Sequence, residues 1–179
     1  VNGNSNVIVT ANGVVTVGIA GSPLAMVIGT DKVRLGISAG SSNQGSTGIA
    51  IGANAAILNQ GSAAIAIGAT AGNSSQGANS IAIGWTAAQN NQKVNAIAIG
   101  YYAGGSQGQG GVAIGAQAGP NQGVYSVAIG EQAAYSSQGQ SAIALGFGAA
   151  AGYQSNYGIA IGYQAAGNYQ GTNAIAMGQ

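Results

Sequence analysis

Few residues of this sequence could perform acid–base or nucleophilic chemistry. Its 179 residues include no histidine and no cysteine, and the two carboxylates are Asp31 and Glu131. A general acid and its base must both reach one substrate, and a serine needs a neighbouring base before it can attack. A metal site would also lack ligands. We therefore expect no enzyme activity and no metal.

A glycine-rich loop is the second chemical possibility. Gly146-Phe147-Gly148-Ala149-Ala150-Ala151 matches the dinucleotide pattern G-x-G-x-x-A. In nucleotide-binding proteins that pattern opens a helix, whose N-terminus binds the pyrophosphate. No helical pattern follows here, and the six residues occupy ordinary positions of a repeat. We expect no cofactor.

That repeat has the unit Ile65-Ala66-Ile67-Gly68 and runs through most of the chain. It returns with a 16-residue period, interrupted by two 15-residue steps. The glycines that close the repeats are Gly36, Gly52, Gly68, Gly84, Gly100, Gly115, Gly130, Gly146, Gly162 and Gly178. A strict period of this size indicates that each repeat is one coil of a stack.

The repeat positions predict strands rather than helices. Isoleucine and alanine alternate with period two, and a glycine ends every run. In every complete repeat an alanine stands three places after the closing glycine, as Ala87 does, and the next residue is Gly or Ala, as at Ala88. A polar turn then leads to a glutamine, as at Gln92. Each coil is therefore predicted to contain two short strands joined by tight turns, stacked about 4.8 Å apart. The glutamines are predicted to form an amide ladder. At this spacing Asp31 and Glu131 would lie roughly 29 Å apart.

The fold class predicted is thus an all-β, parallel β-solenoid or β-roll of about nine coils of 15–16 residues over residues 36–179. Residues 1–35 differ from the repeat and are predicted to form a β-hairpin adaptor or cap. Two β-rich runs, 6–10 and 14–17, flank the hairpin signal Asn12-Gly13. A second turn is predicted at 21–23 and a third strand at 24–28. The end after Gly178 leads us to expect a further domain or partner.

The strand Ile-Ala-Ile predicts self-association. It is apolar on both faces, but a 16-residue coil has an interior for only one of them. The other face must then meet copies of the chain, so we expect an obligate homo-oligomer with closed symmetry. The predicted oligomer or core rows are Ile49, Ile51, Ile65, Ile67, Ile81, Ile83, Ile97, Ile99, Ile114, Ile129, Ile143, Ile159 and Ile161.

The position after the closing glycine varies, which indicates an outward-facing surface. The candidate receptor or glycan contacts in and beside this column are Trp85, Tyr101, Tyr102, Phe147 and Tyr163. Aromatic faces on an uncharged surface suit stacking against sugar rings. The alternative is that these rings pack against a neighbouring chain or along the stack for stability.

The repeat resembles the head domains of trimeric autotransporter adhesins, as in Ser126-Val127-Ala128-Ile129-Gly130 followed by Ala133. The resemblance covers residues 33–179 and implies a left-handed parallel β-roll of three chains around one axis. The period here is slightly longer than is usual in that family, and Gln-Gly departs from its second strand. Similar repeats occur in phage and large-virus fibre proteins, and residues 3–13 are similar to strand–turn segments of tailed-phage fibres.

These features together predict a structural fibre or adhesion protein. We expect a segment of a phage or viral tail fibre that projects a host-attachment surface; the alternative is the head of a bacterial trimeric surface adhesin. An ice-binding β-solenoid is a third hypothesis, which the irregular column two places after the glycine disfavours. The expected partners are two further copies of the chain, a cell-surface glycan or protein receptor, and further fibre domains. Its location would be the virion surface, the cell surface or the extracellular space.

Nucleic acid and membrane insertion are not expected. The formal net charge is +1, with three Lys and Arg residues. Such a chain cannot supply the basic field that nucleic acid requires. No apolar run approaches the roughly 18 residues of a membrane-spanning helix.

Overall fold

The chain folds as a parallel β-solenoid. The computed structural model describes residues 6–9, 15–18, 26–28 and 31–178. These residues form strands and turns without any helix, so that part of the chain holds no helix able to cross a membrane. The prediction of an all-β solenoid of about nine 15–16-residue coils is confirmed.

The described residues contain 22 short strands. In chain order they are β1 (Asn6–Val9), β2 (Val15–Gly18), β3 (Met26–Ile28), β4 (Val33–Leu35), β5 (Ser42–Gln44), β6 (Ile49–Ile51), β7 (Leu58–Gln60), β8 (Ile65–Ile67), β9 (Ser75–Gln76), β10 (Ile81–Ile83), β11 (Asn91–Gln92), β12 (Ile97–Ile99), β13 (Ser106–Gln107), β14 (Val112–Ile114), β15 (Asn121–Gln122), β16 (Val127–Ile129), β17 (Ser137–Gln138), β18 (Ile143–Leu145), β19 (Tyr153–Gln154), β20 (Ile159–Ile161), β21 (Tyr169–Gln170) and β22 (Ile175–Met177).

Each coil contributes one strand to each of two sheets. The Ile-Ala-Ile-type strands of the repeat and the four strands that precede them form a 13-stranded sheet in the order β1-β2-β3-β4-β6-β8-β10-β12-β14-β16-β18-β20-β22, here called the isoleucine sheet. The strands that end in glutamine form a nine-stranded sheet, β5 to β21, here called the glutamine sheet. From β4 onward the neighbours are parallel and in register, so that Ile81 pairs with Ile97 and Gln92 with Gln107.

The apolar part of the solenoid interior is built from alanine. The central alanine of each Ile-Ala-Ile strand points inward and is fully buried, as Ala82 and Ala98 are. The isoleucines on either side point outward and are half-buried. The two small residues that stand three and four places after each closing glycine complete the apolar core, as Ala87 and Ala88 do. The two sheets therefore lie too close together for larger apolar side chains.

The closing glycines lie where consecutive coils touch. Gly100 has φ +130°, and a Cβ built on it would fall 2.5 Å from the carbonyl oxygen of Gly115 in the next coil. An L-residue rarely adopts that φ, and the contact leaves no space for a side chain. The closing glycines from Gly36 to Gly162 therefore form corners with positive φ and close backbone approach.

The glutamine column is interior, and the predicted amide ladder is confirmed. Nε2 of Gln92 donates to Oε1 of Gln107 at 3.0 Å, and Nε2 of Gln107 donates to Oε1 of Gln122 at 2.8 Å. From Gln60 onward each amide also donates to the isoleucine sheet, as Gln107 Nε2 does to the Ile97 carbonyl at 2.8 Å, whereas the buried amide of Gln44 has no partner. The glutamines thus hydrogen-bond coil to coil and sheet to sheet.

The N-terminal strands extend the isoleucine sheet with antiparallel pairs. β1 pairs with β2, β2 with β3 and β3 with β4. The predicted turns at 11–13 and 21–23 lie outside the described residues, as do residues 10 and 14 of the first two predicted runs and residues 24–25 of the predicted third strand. The division at residue 35 and the capping role of residues 1–35 stay predictions.

Arg34 replaces the inward alanine in the first coil. It pairs with Ala50 in the register of β4 and β6, and its Nη1 donates to the Gly40 carbonyl at 3.1 Å. Its side-chain stem lies over Gly40, where an added Cβ would meet Arg34 Cδ at 2.7 Å. The alanine column therefore begins beneath an arginine stem.

Candidate functional site

The first three candidate contact residues form one exposed cluster. The Trp85 cluster comprises Trp85, Tyr101 and Tyr102, and the indole is 57% exposed. The ring centroids of Trp85 and Tyr101 lie 5.2 Å apart, and Tyr101 meets Tyr102 edge-on at 4.6 Å. The rings come together because Trp85 and Tyr101 occupy the same column of successive coils, and Tyr102 follows directly in the chain.

The other two candidates form a separate pair. The rings of Phe147 and Tyr163 stack with centroids 5.5 Å apart and planes 10° from parallel. Both residues are exposed and occupy the same column as Trp85. The coils between the pair and the Trp85 cluster carry Ala116 and Glu131 in that column. The five predicted residues therefore form two surfaces rather than one.

A third set of exposed aromatic residues was missed from the sequence. Tyr153 and Tyr169 pair in β19 and β21, and their rings stack with centroids 5.5 Å apart. Tyr135 is also exposed and follows the small pair of its coil. The signal for the stacked pair was available, because the two tyrosines lie one repeat period apart and each precedes a ladder glutamine.

The two shortened coils, residues 101–115 and 116–130, create a groove in the surface. Each lacks one residue between its small pair and its ladder glutamine. In the glutamine sheet Asn91 still pairs with Ser106, and Ser106 with Asn121. The missing residue is therefore taken from the corner just before the second strand. The depression that remains, here called the short-coil groove, has a volume of about 620 Å³.

Full-length coils border the short-coil groove on both sides. Asn90 in the preceding coil and Ser136 in the following coil occupy the position that the shortened coils lack. Gly105 and Pro120 line the groove between them. The backbone there is hydrogen-bonded to the stack, since Asn90 N donates to the Gly105 carbonyl at 3.2 Å and Ser106 N to the Pro120 carbonyl at 2.7 Å.

Amides, hydroxyls and tyrosine rings line the short-coil groove. The amides come from Gln89, Asn90, Gln117 and Asn121, and the rings from three tyrosines in different columns. The tyrosines are Tyr102, Tyr135 and Tyr153. None of the described residues that line the groove is charged. Tyr102 also belongs to the Trp85 cluster, so the two features form one continuous surface.

The predicted isoleucine rows lie on the outer face of the isoleucine sheet. They form two columns along the stack that flank the inward alanines, and most of them are half-buried in the single chain. Ile129 is exposed. The structure thus leaves an apolar stripe on the outside of the rod, whereas the alanine face is buried within the coil.

Side chains that could hold a metal ion are scarce among the described residues. This part of the chain contains no group of three or more histidine, cysteine, aspartate or glutamate residues that could hold a metal ion. Asp31 and Glu131 are both exposed and lie in different coils. The chemistry that the surface offers is therefore hydrogen bonding by neutral amides and hydroxyls, together with contact by aromatic faces.

Comparisons with known protein families, with curated proteins and with solved structures found no match to this chain.

Proposed function

We propose that this chain is a structural segment of an extracellular fibre, of the kind that phages and viruses project from the particle, and that it assembles as a homotrimer. In this proposal the solenoid is a rigid spacer whose outer surface attaches to a host cell. The resemblance of the repeat to adhesin heads and virus fibres supports three chains around one axis. The exposed aromatic rings and neutral amides of the outer surface suit contact with a cell surface.

The observation that carries the proposal is the apolar stripe on the outer face of the isoleucine sheet. Its two isoleucine columns run from β6 to β20, with Ile65 and Ile67 half-buried in a typical coil. A continuous apolar stripe of this kind is typical of an interaction surface rather than of a monomer. Identical chains can cover it by packing around a closed symmetry axis.

The interior gives a second reason for assembly. An alanine core buries little apolar surface per residue, and at about 25 cal/mol per Å² it contributes less than a core of large side chains. Burial of the outer isoleucines between chains would add the apolar contacts that the coil interior cannot provide. The folded state would then depend on chain concentration.

Sedimentation equilibrium of the purified chain tests the assembly. The single chain has a mass of 17.0 kDa, and we expect the particle to have three times that mass. The double variant Ile83→Asp/Ile99→Asp should lose the trimer, because two charges would be placed in each interface. The matched control is Ala69→Asp, at an exposed position. A well-folded wild-type monomer would contradict the proposal, and a dimer would contradict three-fold assembly.

The attachment role and its source need a separate test. An antibody against the chain should label fibres on virus particles, and the purified trimer should bind host cells and compete with infection. Labelling of a bacterial surface instead would favour the alternative, the head of a trimeric surface adhesin, with which the repeat shares its Val-Ala-Ile-Gly strand. Absence of both kinds of labelling would contradict an extracellular fibre.

A further inference from the structure

We infer that the short-coil groove binds a neutral carbohydrate. This inference deepens the proposed function, because it names the place and the ligand class of an attachment surface. The groove itself is formed by one chain. Its binding can therefore be measured whether or not the chain proves to be a trimer.

The groove is a built feature of the surface rather than a flaw in the stack. The glutamine ladder runs without a break from Gln92 through Gln107 and Gln122 to Gln138 beneath it, with Nε2 to Oε1 distances of 3.0, 2.8 and 3.0 Å. The interior therefore tolerates the missing residues without losing register. Only the outer corner is changed, and the depression is about 10 Å tall, two coils at the strand spacing.

Its size fits a small ligand. The groove volume of about 620 Å³ lies within the range of roughly 300–1,000 Å³ that is usual for small-molecule sites. The groove extends over two consecutive shortened coils, each a step of about 4.8 Å along the stack. The two 15-residue steps in the sequence are consecutive.

The lining matches the chemistry of a sugar. A hexose has apolar C–H faces and an edge of hydroxyl groups that both donate and accept hydrogen bonds. Tyrosine rings can cover the apolar faces. The tyrosines at the groove are 41% (Tyr102), 47% (Tyr135) and 56% (Tyr153) exposed, so each keeps an accessible surface although Tyr102 contacts Tyr101 and Tyr153 stacks on Tyr169. Side-chain amides offer both a donor and an acceptor to neighbouring hydroxyls.

Charge distinguishes a sugar from other ligand classes. No described residue of the lining is charged. An anionic glycan, a nucleic acid or a charged peptide would leave its ionic groups unpaired there, which costs free energy. A neutral oligosaccharide has no ionic group that could be left unpaired. The lining therefore favours a neutral sugar over these alternatives.

The polar groups are held in place before a ligand arrives. Gln132 Nε2 donates to Oε1 of Gln117 at 3.2 Å, and Asn121 Nδ2 donates to the Ser136 carbonyl at 3.2 Å. Tyr102 is held edge-on by Tyr101. Fixing these side chains in the free protein lowers the entropy that binding would cost.

The experiment measures binding of the purified chain of 179 residues to immobilised oligosaccharides. The probes are neutral oligosaccharides of glucose, galactose, mannose and N-acetylglucosamine, with sialylated and sulfated versions as charged controls, and a panel of uncharged peptides. We expect binding to at least one neutral oligosaccharide. Binding to charged glycans or peptides alone, or to no probe, would overturn the inference.

Variants then test whether the groove is the place of binding. Tyr135→Ala/Tyr153→Ala should weaken binding at least tenfold. A second variant inserts one asparagine after Gly105 and another after Pro120, which restores both coils to the full period and fills the groove. The matched control is Tyr157→Ala, because Tyr157 is 50% exposed and does not line the groove.

The outcomes separate the site from the fold. Circular dichroism and sedimentation of each variant show whether it is folded as the wild type is, and the two exposed tyrosines can be replaced without disturbing the core. Loss of binding in both groove variants, with Tyr157→Ala unchanged, supports the site. Wild-type binding by either folded groove variant overturns it. A wild-type chain that binds sugar as a monomer would contradict the trimer and leave the groove intact.

Discussion

Nε2 of Gln107 donates a hydrogen bond to Oε1 of Gln122 at 2.8 Å, across the junction between the two shortened coils. The contact shows that the ladder keeps its spacing where the sequence loses its period. The reason is that the ladder amides around the shortened coils are also bonded across the coil, as Gln107 Nε2 is to the Ile97 carbonyl. The glutamines therefore define the register, and the outer corner takes up the change in length.

We predict that Gln107→Ala destabilises each chain by about 2 kcal/mol, because it leaves buried acceptors unpaired. The carbonyl of Ile97 and Oε1 of Gln122 would each lose a donor. Urea denaturation followed by circular dichroism measures the loss. Gln109→Ala is the matched control, since Gln109 is exposed. Equal stability of the two variants would show that the ladder contributes little.

The second prediction concerns the closing glycines. Gly100→Ala should lower stability by about 3 kcal/mol or prevent folding, because the strained φ alone costs about 1–3 kcal/mol and the added Cβ overlaps the Gly115 carbonyl. Gly171→Ala is the control, because within the described part of the chain no atom lies within 4 Å of its added Cβ. The control should stay within about 0.5 kcal/mol of the wild type. Thermal melting of both variants makes the comparison, and a folded Gly100→Ala of wild-type stability would contradict this packing.

Much of the fold follows from the repeat. The 16-residue period gives the coil, and the alternation in Ile-Ala-Ile gives a strand with one small and one large face. The repeat positions do not show the backbone conformation of the turns. Ala88 and Ala134 have φ of 50°, in the left-handed region, at a position that holds only Gly or Ala. Left-handed φ alone does not restrict the residue type, because Thr86 and Tyr102 adopt it as well. The restriction comes from the buried ladder glutamine, since a Cβ added to Gly72 at the same position would fall 2.8 Å from Gln76 Oε1.

The candidate site was harder to predict than the fold. Trp85 and Tyr101 could be paired from the sequence because they share a column in successive coils. Tyr102, Tyr135 and Tyr153 belong to three different columns, and only the path of the turns brings them to one groove. The sequence also does not show whether a residue missing from a turn leaves a depression in the surface or lets the neighbouring coils fill the space.

The third prediction tests the closeness of the two sheets. Ala98→Leu should destabilise the chain by about 1–3 kcal/mol, because the fully buried Ala98 has no room for a larger side chain. The interior opposite is already tight, since a Cβ added to Gly104 would meet Ala98 Cβ at 2.9 Å. Ala69→Leu at an exposed position is the matched control. If denaturant midpoints of the two variants agree, the interior is looser than the structure indicates.

The fourth prediction is that the native chain resists trypsin at Lys93. The lysine side chain is exposed, but its backbone is held in the coil: Lys93 N donates to the Gln107 carbonyl at 3.2 Å, and its carbonyl accepts from Ala96 N at 3.3 Å. A protease must pull this segment out of the stack before it can cleave. Native protein should remain intact at Lys93 while heat-unfolded protein is cut rapidly, as gel electrophoresis and mass spectrometry would show. Equal rates would mean that the coil opens readily there.

The last prediction decides what the Trp85 cluster does. If its rings serve attachment, Trp85→Ala/Tyr101→Ala should abolish cell binding and leave the melting temperature within about 2 °C, because exposed substitutions usually cost less than about 0.5 kcal/mol. If the rings stabilise the stack, or pack against a neighbouring chain, melting should fall instead.

The matched control for this cluster is Phe147→Ala/Tyr163→Ala, which removes a stacked pair from the same column. That pair lies apart from the short-coil groove, whereas Tyr102 connects the Trp85 cluster to it. Attachment through the groove therefore predicts that the Trp85 variant loses cell binding and the Phe147 variant keeps it. Equal loss in both would place attachment along the whole aromatic column. Unchanged cell binding with a lowered melting temperature in both would assign these rings to packing.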